Sequence, residues 1–160
     1  EAMPGERPHQ FVFAVTEADL PEANGRAQVN WQLIQSAKES VNQAIEAARN
    51  DGLVKGSLSA EVALYADGAV FDALTALGDE IRFVTITSEV DLYPLSEAPD
   101  GAVTDSVCPQ LAVVVKATES EKCERCWHHR PDVGSVSAHP TLCTRCVDNV
   151  EGTGEERTFA

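Results

Sequence analysis

The sequence predicts an α+β fold: a small mixed α/β domain over residues 29–117, then a four-cysteine knuckle module over residues 118–160, with residues 1–28 as a connector. Three observations predict it. Apolar residues recur at helical spacing from Val29 to Asn50; alternating and β-branched runs with short links follow; and four cysteines stand near the C-terminus as two C-x2-C pairs. At 160 residues, 43% hydrophobic and 24% charged, the chain has the mix of a globular protein and room for one ordinary domain plus a small module. It contains no run of about eighteen apolar residues, which excludes a transmembrane helix.

Taken in order, residues 1–28 carry Pro4, Gly5, Pro8, Pro21 and Gly25 around one apolar run, Phe11 to Val15, long enough for a short strand. In the next segment Trp31, Ile34, Val41, Ile45 and Ala48 predict an amphipathic helix from Val29 to Asn50, with Gly52 as its stop. Glu46 and Arg49 lie on its solvated face. Leu58, Ala60, Val62, Leu64 and Ala66 alternate with Ser59, Glu61, Ala63 and Tyr65, the pattern of a half-buried strand closed by Asp67-Gly68. Val70, Leu74, Leu77 and Ile81 mark a second helix, and the β-branched run Arg82 to Thr87 predicts a second strand, parallel to the first by a crossover. Residues 93–110, with Pro94, Pro99, Asp100-Gly101 and Pro109, predict a surface loop that includes Cys108 as a buried or incidental free thiol. Leu111 to Ala117 is the third strand and leads into the first cysteine pair.

Cys123-Glu124-Arg125-Cys126 and Cys143-Thr144-Arg145-Cys146 are separated by sixteen residues. Each pair puts two thiolates on one tight turn, and two such turns brought together supply the four sulfur ligands of a tetrahedral zinc ion. A thioredoxin-like C-x-x-C would not call for two copies, and disulfides would need an oxidising compartment, for which the N-terminal segment shows no secretory signal. Four thiolates leave no open coordination position, so the zinc is structural. His128, His129 and His139 are not needed to complete it. Trp127 has two readings: a cover over the metal with the neighbouring histidines and Arg130 in solvent, or, beside Arg125, Arg130 and Arg145, a stacking surface for unpaired bases.

The net charge of −14, from 26 acids against 12 bases, argues against nonspecific nucleic-acid binding by the chain as a whole. No phosphate loop, dinucleotide fingerprint, H-E-x-x-H or G-x-S-x-G motif occurs, and no catalytic constellation is present.

Lys122 to His128, Asp132-Val133-Gly134, Leu142 to Val150 and Gly154 to Ala160 together resemble the C-terminal end of the bacterial isoleucyl-tRNA synthetase family. The resemblance continues upstream through Pro4 to Arg7, Val41-Asn42, Gly56-Ser57-Leu58, Leu64-Tyr65-Ala66 and Leu74 to Glu80, and is weakest over residues 16–28 and 89–110. It implies a class I, ATP-dependent isoleucine-tRNA ligase whose catalytic domain, with its H-I-G-H and K-M-S-K-S signatures, lies upstream. Neither signature is in this chain, which begins at Glu1 and is expected to be an inactive piece of that longer polypeptide. The implied parts are the tail of the anticodon-binding region, a junction domain, and a zinc-binding end that helps position the anticodon arm of isoleucine tRNA. By position, Cys123, Cys126, Cys143 and Cys146 match the family's zinc ligands and Trp127 matches its anticodon-side tryptophan; Arg125, Arg130 and Arg145 are further candidates for tRNA contact on charge and position. The implied cofactor is one structural Zn2+, with ATP used only by the parent enzyme. The implied partners are isoleucine tRNA, bound weakly by this piece alone, and the upstream domains, in a cytoplasmic monomer without membrane contact. Two other functions compete: a zinc finger of the formamidopyrimidine-DNA glycosylase type, and a zinc-capped docking domain for a protein partner.

Overall fold

The computed structural model describes residues 29–160. The connector and the strand expected at Phe11 to Val15 lie outside the described residues. Helix α1 spans Trp31–Asn50; the side chain of Asn30 accepts the Leu33 N–H at its start. Its end is a Schellman turn, in which Leu53 N–H reaches the Ala48 carbonyl and Gly52 N–H the Arg49 carbonyl, with Gly52 at φ +76. One stripe of α1, containing Ile34, Ala37, Val41, Ala44, Ile45 and Ala48, is buried, whereas Trp31 is exposed.

A 3-10 turn at Ser57–Ser59 leads into strand β1, Ala60–Ala66, whose residues alternate between buried and half-buried as the sequence pattern predicts. Asp67 caps helix α2, Gly68–Leu77. A 3-10 turn at Gly78–Glu80 follows, and then a short helix α3, Ile81–Thr85, where a strand was expected. Ile81 and Thr85, four residues apart, are both buried, and the Thr85 hydroxyl donates back to the Ile81 carbonyl. Helical spacing toward the core outweighs the β preference of this run, since β preference depends on its setting. Strand β2 is instead Glu89–Pro94, parallel to β1 with Glu61 opposite Glu89. The crossover is therefore present, with its second strand later than expected. Within the expected loop, β3 (Val103–Thr104) pairs with β4 (Leu111–Ala117), which runs antiparallel to β1.

The sheet order is β2-β1-β4-β3. α1 lies against β4 and α2, and α2 touches β1 and β2, so helices cover the face carrying Ala60, Val62, Leu64 and Ala66. Cys108 is a buried free thiol in this core. The cysteine module has its own cluster: Cys123, Cys143 and Cys146, with Cys126, Val133 and Leu142 partly buried beside them. Its one helix, α4, is Thr144–Glu151, and Asp132 accepts hydrogen bonds from both the N–H and the hydroxyl of Thr144 at the helix start. Among the described residues no helix is long and apolar enough to cross a membrane.

Candidate metal centre and its exposed indole

The two knuckles bring the Sγ atoms of Cys123, Cys126, Cys143 and Cys146 within 4.8 Å of one another. All four are free thiols, and Cys126 Sγ stands 3.8 Å from Cys143 Sγ. That separation is far longer than a disulfide bond, and it matches the edge of a sulfur tetrahedron, about 3.8 Å when each sulfur is about 2.3 Å from a central zinc. The local backbone explains the convergence. Cys123 N–H bonds the His128 carbonyl and Trp127 N–H bonds the Cys123 carbonyl, closing the first turn, while Lys122 and His129 form an antiparallel bridge at its base. Cys143 directly precedes α4, whose first turn carries Cys146 inward.

The electrostatics fit a cation between these sulfurs. Burial alone would raise the Cys123 thiol, but the N–H groups of Cys126, Cys143 and Arg125 outweigh it and bring it down to about 6. Burial pushes the Cys143 thiol up to about 12. Four neighbouring thiols resist ionising together, and a divalent ion removes that conflict. Further out, Arg125 Nη1 lies 3.7 Å from Cys146 Sγ, and Cys143 N–H points at Cys123 Sγ across 3.4 Å.

Trp127 is not buried over the metal site. Its side chain is 59% exposed, its backbone is left-handed at φ +66, and Lys122 Nζ stands 4.8 Å from the ring centroid. His128 is buried, not solvated. Burial, then the charges of Arg145, Arg82 and Arg130, bring its imidazole down to about 4, and its Nδ1 has no partner among the described residues. His129 bonds inward, N–H to Ser88 Oγ at 2.7 Å and Nδ1 to the Ser120 carbonyl at 2.8 Å, and His139 meets Glu151.

Of the arginines predicted as contacts, only Arg125 is exposed. Arg130 pairs with Glu89 and Asp132 and donates to the Ser88 carbonyl, joining the module to β2. Arg145 pairs with Glu155 at 2.7 Å, and Glu155 also holds Arg157 at 2.6 Å. Arg157, Arg82 and Arg145 surround the Phe83 ring with centroid distances of 3.9, 4.5 and 5.1 Å. This seam is not legible in the sequence, because the β-branched run places Phe83 on a strand and its partners come from two modules.

Residues 120–149 match the family described as the zinc finger found in FPG and IleRS. With the four-cysteine cluster, this makes the centre a structural zinc site. That finger is shared by two kinds of protein, so relatives over the whole length are needed to separate them. The chain is 52% identical, over its full length, to an isoleucine–tRNA ligase of Shewanella sp. (strain MR-4), and 46% identical over 99% of its length to that of Shewanella piezotolerans. Over its whole length the chain is similar to one part of the isoleucine–tRNA ligases. A third relative, the isoleucine–tRNA ligase of Shewanella baltica (strain OS195), is 52% identical over 81% of this chain. The chain spans only 14% to 17% of the length of these isoleucine–tRNA ligases, in keeping with the C-terminal region implied by its residues.

Proposed function

We propose that this chain is the noncatalytic, C-terminal tRNA-binding portion of an isoleucine–tRNA ligase, helping to position the anticodon arm of isoleucine tRNA while upstream domains carry out aminoacylation with ATP. In this reading residues 1–28 connect to those domains, 29–117 form the junction domain and 118–160 the zinc module. Cys123, Cys126, Cys143 and Cys146 are the zinc ligands, and the metal serves to hold the two knuckles in place. The setting is the cytoplasm, the partners are the tRNA and the rest of the same polypeptide, and a monomer suffices.

One observation carries the reading. A bulky residue held at positive φ costs on the order of 1–3 kcal/mol, and burial usually repays such a cost for a tryptophan. At Trp127 it does not, because most of the indole faces solvent. An exposed indole in a strained turn, with the exposed Arg125 nearby, suits stacking on an unpaired base, worth roughly 1–3 kcal/mol per base. Arg130 and Arg145 are tied into ion pairs, which leaves them the supporting role of holding the module in place.

The test is Trp127→Gly in the full-length ligase. Glycine relieves the left-handed strain, so the melting temperature is expected to hold or rise while the KM for tRNA increases at least tenfold, about 1.4 kcal/mol. Isoleucyl-adenylate formation is expected to stay unchanged. Equal loss of both reactions, or unaltered tRNA charging, would refute the anticodon role.

A further inference from the structure

Trp127 forms one wall of a groove of about 480 Å³ whose other lining residues are Lys55, Gly56, Leu58, Ser59, Lys122 and His129. Lys122, Trp127 and His129 come from the first knuckle; the other four residues come from the 3-10 turn before β1 and the two residues ahead of it. The groove is thus built by both modules. Its size lies within the usual range of small-ligand sites, about 300–1,000 Å³.

Both sides are held rigidly. Ser59 Oγ accepts the N–H groups of Lys55 and Gly56, each at 3.1 Å, and donates to the Gly56 carbonyl at 2.8 Å. Across the groove, His129 is fixed by its bonds to Ser88 and Ser120. Ser88 also donates to the Leu58 carbonyl at 2.5 Å, so one serine ties the two walls together. The backbone of such a site needs little ordering when a ligand enters, and the cost falls on the two lysine side chains.

The charge is the telling feature. In a chain of net charge −14, this groove contains two lysines and no carboxylate. Among the described residues neither Lys55 nor Lys122 makes an ion pair, whereas Arg49, Arg130, Arg145 and Arg157 all do. The exposed indole, with Lys122 Nζ over its ring at 4.8 Å from the centroid, and Lys55 in the same groove offer partners for the two parts of a nucleotide, the flat base and the anionic phosphate.

We propose that the groove between the junction domain and the zinc module is a single-nucleotide site of the tRNA-binding surface, in which the base stacks on Trp127 and its phosphate is held by Lys55 and Lys122. The junction domain then touches RNA directly through Lys55 and is more than a spacer. The proposal rests on the tRNA-binding reading above and adds to it a site the zinc module cannot form alone.

The experiment compares Lys55→Gln, Lys122→Gln and Trp127→Gly in the full-length ligase, measuring the affinity for isoleucine tRNA across a salt series. Lys55 lies outside the zinc module, so its replacement leaves the metal ligands untouched. Lys55→Gln is expected to weaken binding about fivefold at low salt and to reduce the slope of log affinity against log salt by about 0.7, as for one lost single-strand phosphate contact. Adenylate formation and zinc content are expected to remain at wild-type levels. If Trp127→Gly weakens binding while both lysine variants keep wild-type affinity and slope, the groove is overturned and the tRNA-binding reading stands. If Lys55→Gln weakens binding with no change in slope, the phosphate contact is overturned. If all three variants bind like wild type, the reading and the groove fall together.

Discussion

Replacing Glu80 by alanine is expected to release the last residues of the chain from the α/β domain. Its carboxylate accepts three backbone hydrogen bonds, from the N–H groups of Thr158 (2.7 Å), Phe159 (2.7 Å) and Ala160 (2.8 Å). Phe159 packs against the main core, and Arg157 covers Phe83 just before it. Charge-assisted bonds contribute about 1.5–3 kcal/mol each, but this carboxylate is well screened by solvent, and about 1 kcal/mol each is the better figure. Half-burial of Phe159 adds about 1–1.5 kcal/mol and the Arg157 stack about 0.5–1 kcal/mol. The total, near 5 kcal/mol, is set against about 3–6 kcal/mol for ordering three residues. Docking is thus finely balanced, and losing about 3 kcal/mol tips it to the released state. The assay is amide hydrogen exchange by NMR: Thr158, Phe159 and Ala160 should lose protection in the variant while β1 and β4 keep theirs. Acid should mimic the substitution. Burial pushes the Glu80 carboxyl up, but the three N–H groups and Arg157 together outweigh it and hold the carboxyl below its ordinary 4.5. Docking is therefore at full strength above that ordinary value and is lost as pH falls through the lowered one. Unchanged protection of the three amides in Glu80→Ala would show that something other than this carboxylate holds the tail, and the reasoning would fail.

Cys143→Ser, or removal of metal by a chelator, is expected to collapse the NMR dispersion of residues 123–151 and leave the sheet folded, because sulfur and two partly buried aliphatic side chains make up that cluster; an unaltered fingerprint for the module would contradict a structural zinc. Gly134→Ala should cost about 1–3 kcal/mol and lower zinc affinity, since Gly134 sits at φ +78 and a Cβ there would lie 2.9 Å from the Pro140 carbonyl oxygen in the loop joining the knuckles. A wild-type melting curve for that variant would show the loop to be looser than the structure has it.

Much of the fold was legible wherever one face of an element meets the core. The buried stripe of α1 and the alternation of β1 are periodic in sequence because they are periodic in burial. Residues 82–87 show where that logic gives out. The run is β-branched, yet Ile81, Val84 and Thr85 meet the core at helical spacing, and Phe83 turns away to meet three guanidiniums from both modules. The true strand, Glu89–Pro94, had its own signal. Val90 and Leu92 pack on the core between Glu89, Asp91 and Tyr93, but the charged positions among them obscure the alternation. Those charges suit its position, since β2 pairs with β1 alone and a charged edge resists further strand pairing. The zinc cluster was legible because ligand spacing is local. The groove was not, because Lys55 and Lys122 are brought together only when the two modules dock.

The same docking accounts for the charge that sits awkwardly with RNA binding. Arg130, Arg145 and Arg157 are spent along the seam, against Glu89, Asp132 and Glu155, and beside a thiolate cluster that stays negative even with zinc. Their work is to fix the module on the sheet. Among the described residues the cations near Trp127 that stand outside any ion pair are Arg125, Lys55 and Lys122, a small set on an acidic chain. Few phosphate contacts give a shallow salt slope and modest affinity. Acidic surroundings also repel a nucleic acid that approaches anywhere else. In the tRNA-binding role proposed above, such a module would contribute little pull and a well-defined position, and a saturated zinc, a strained tryptophan and a rigid seam suit that role better than a broad basic face would.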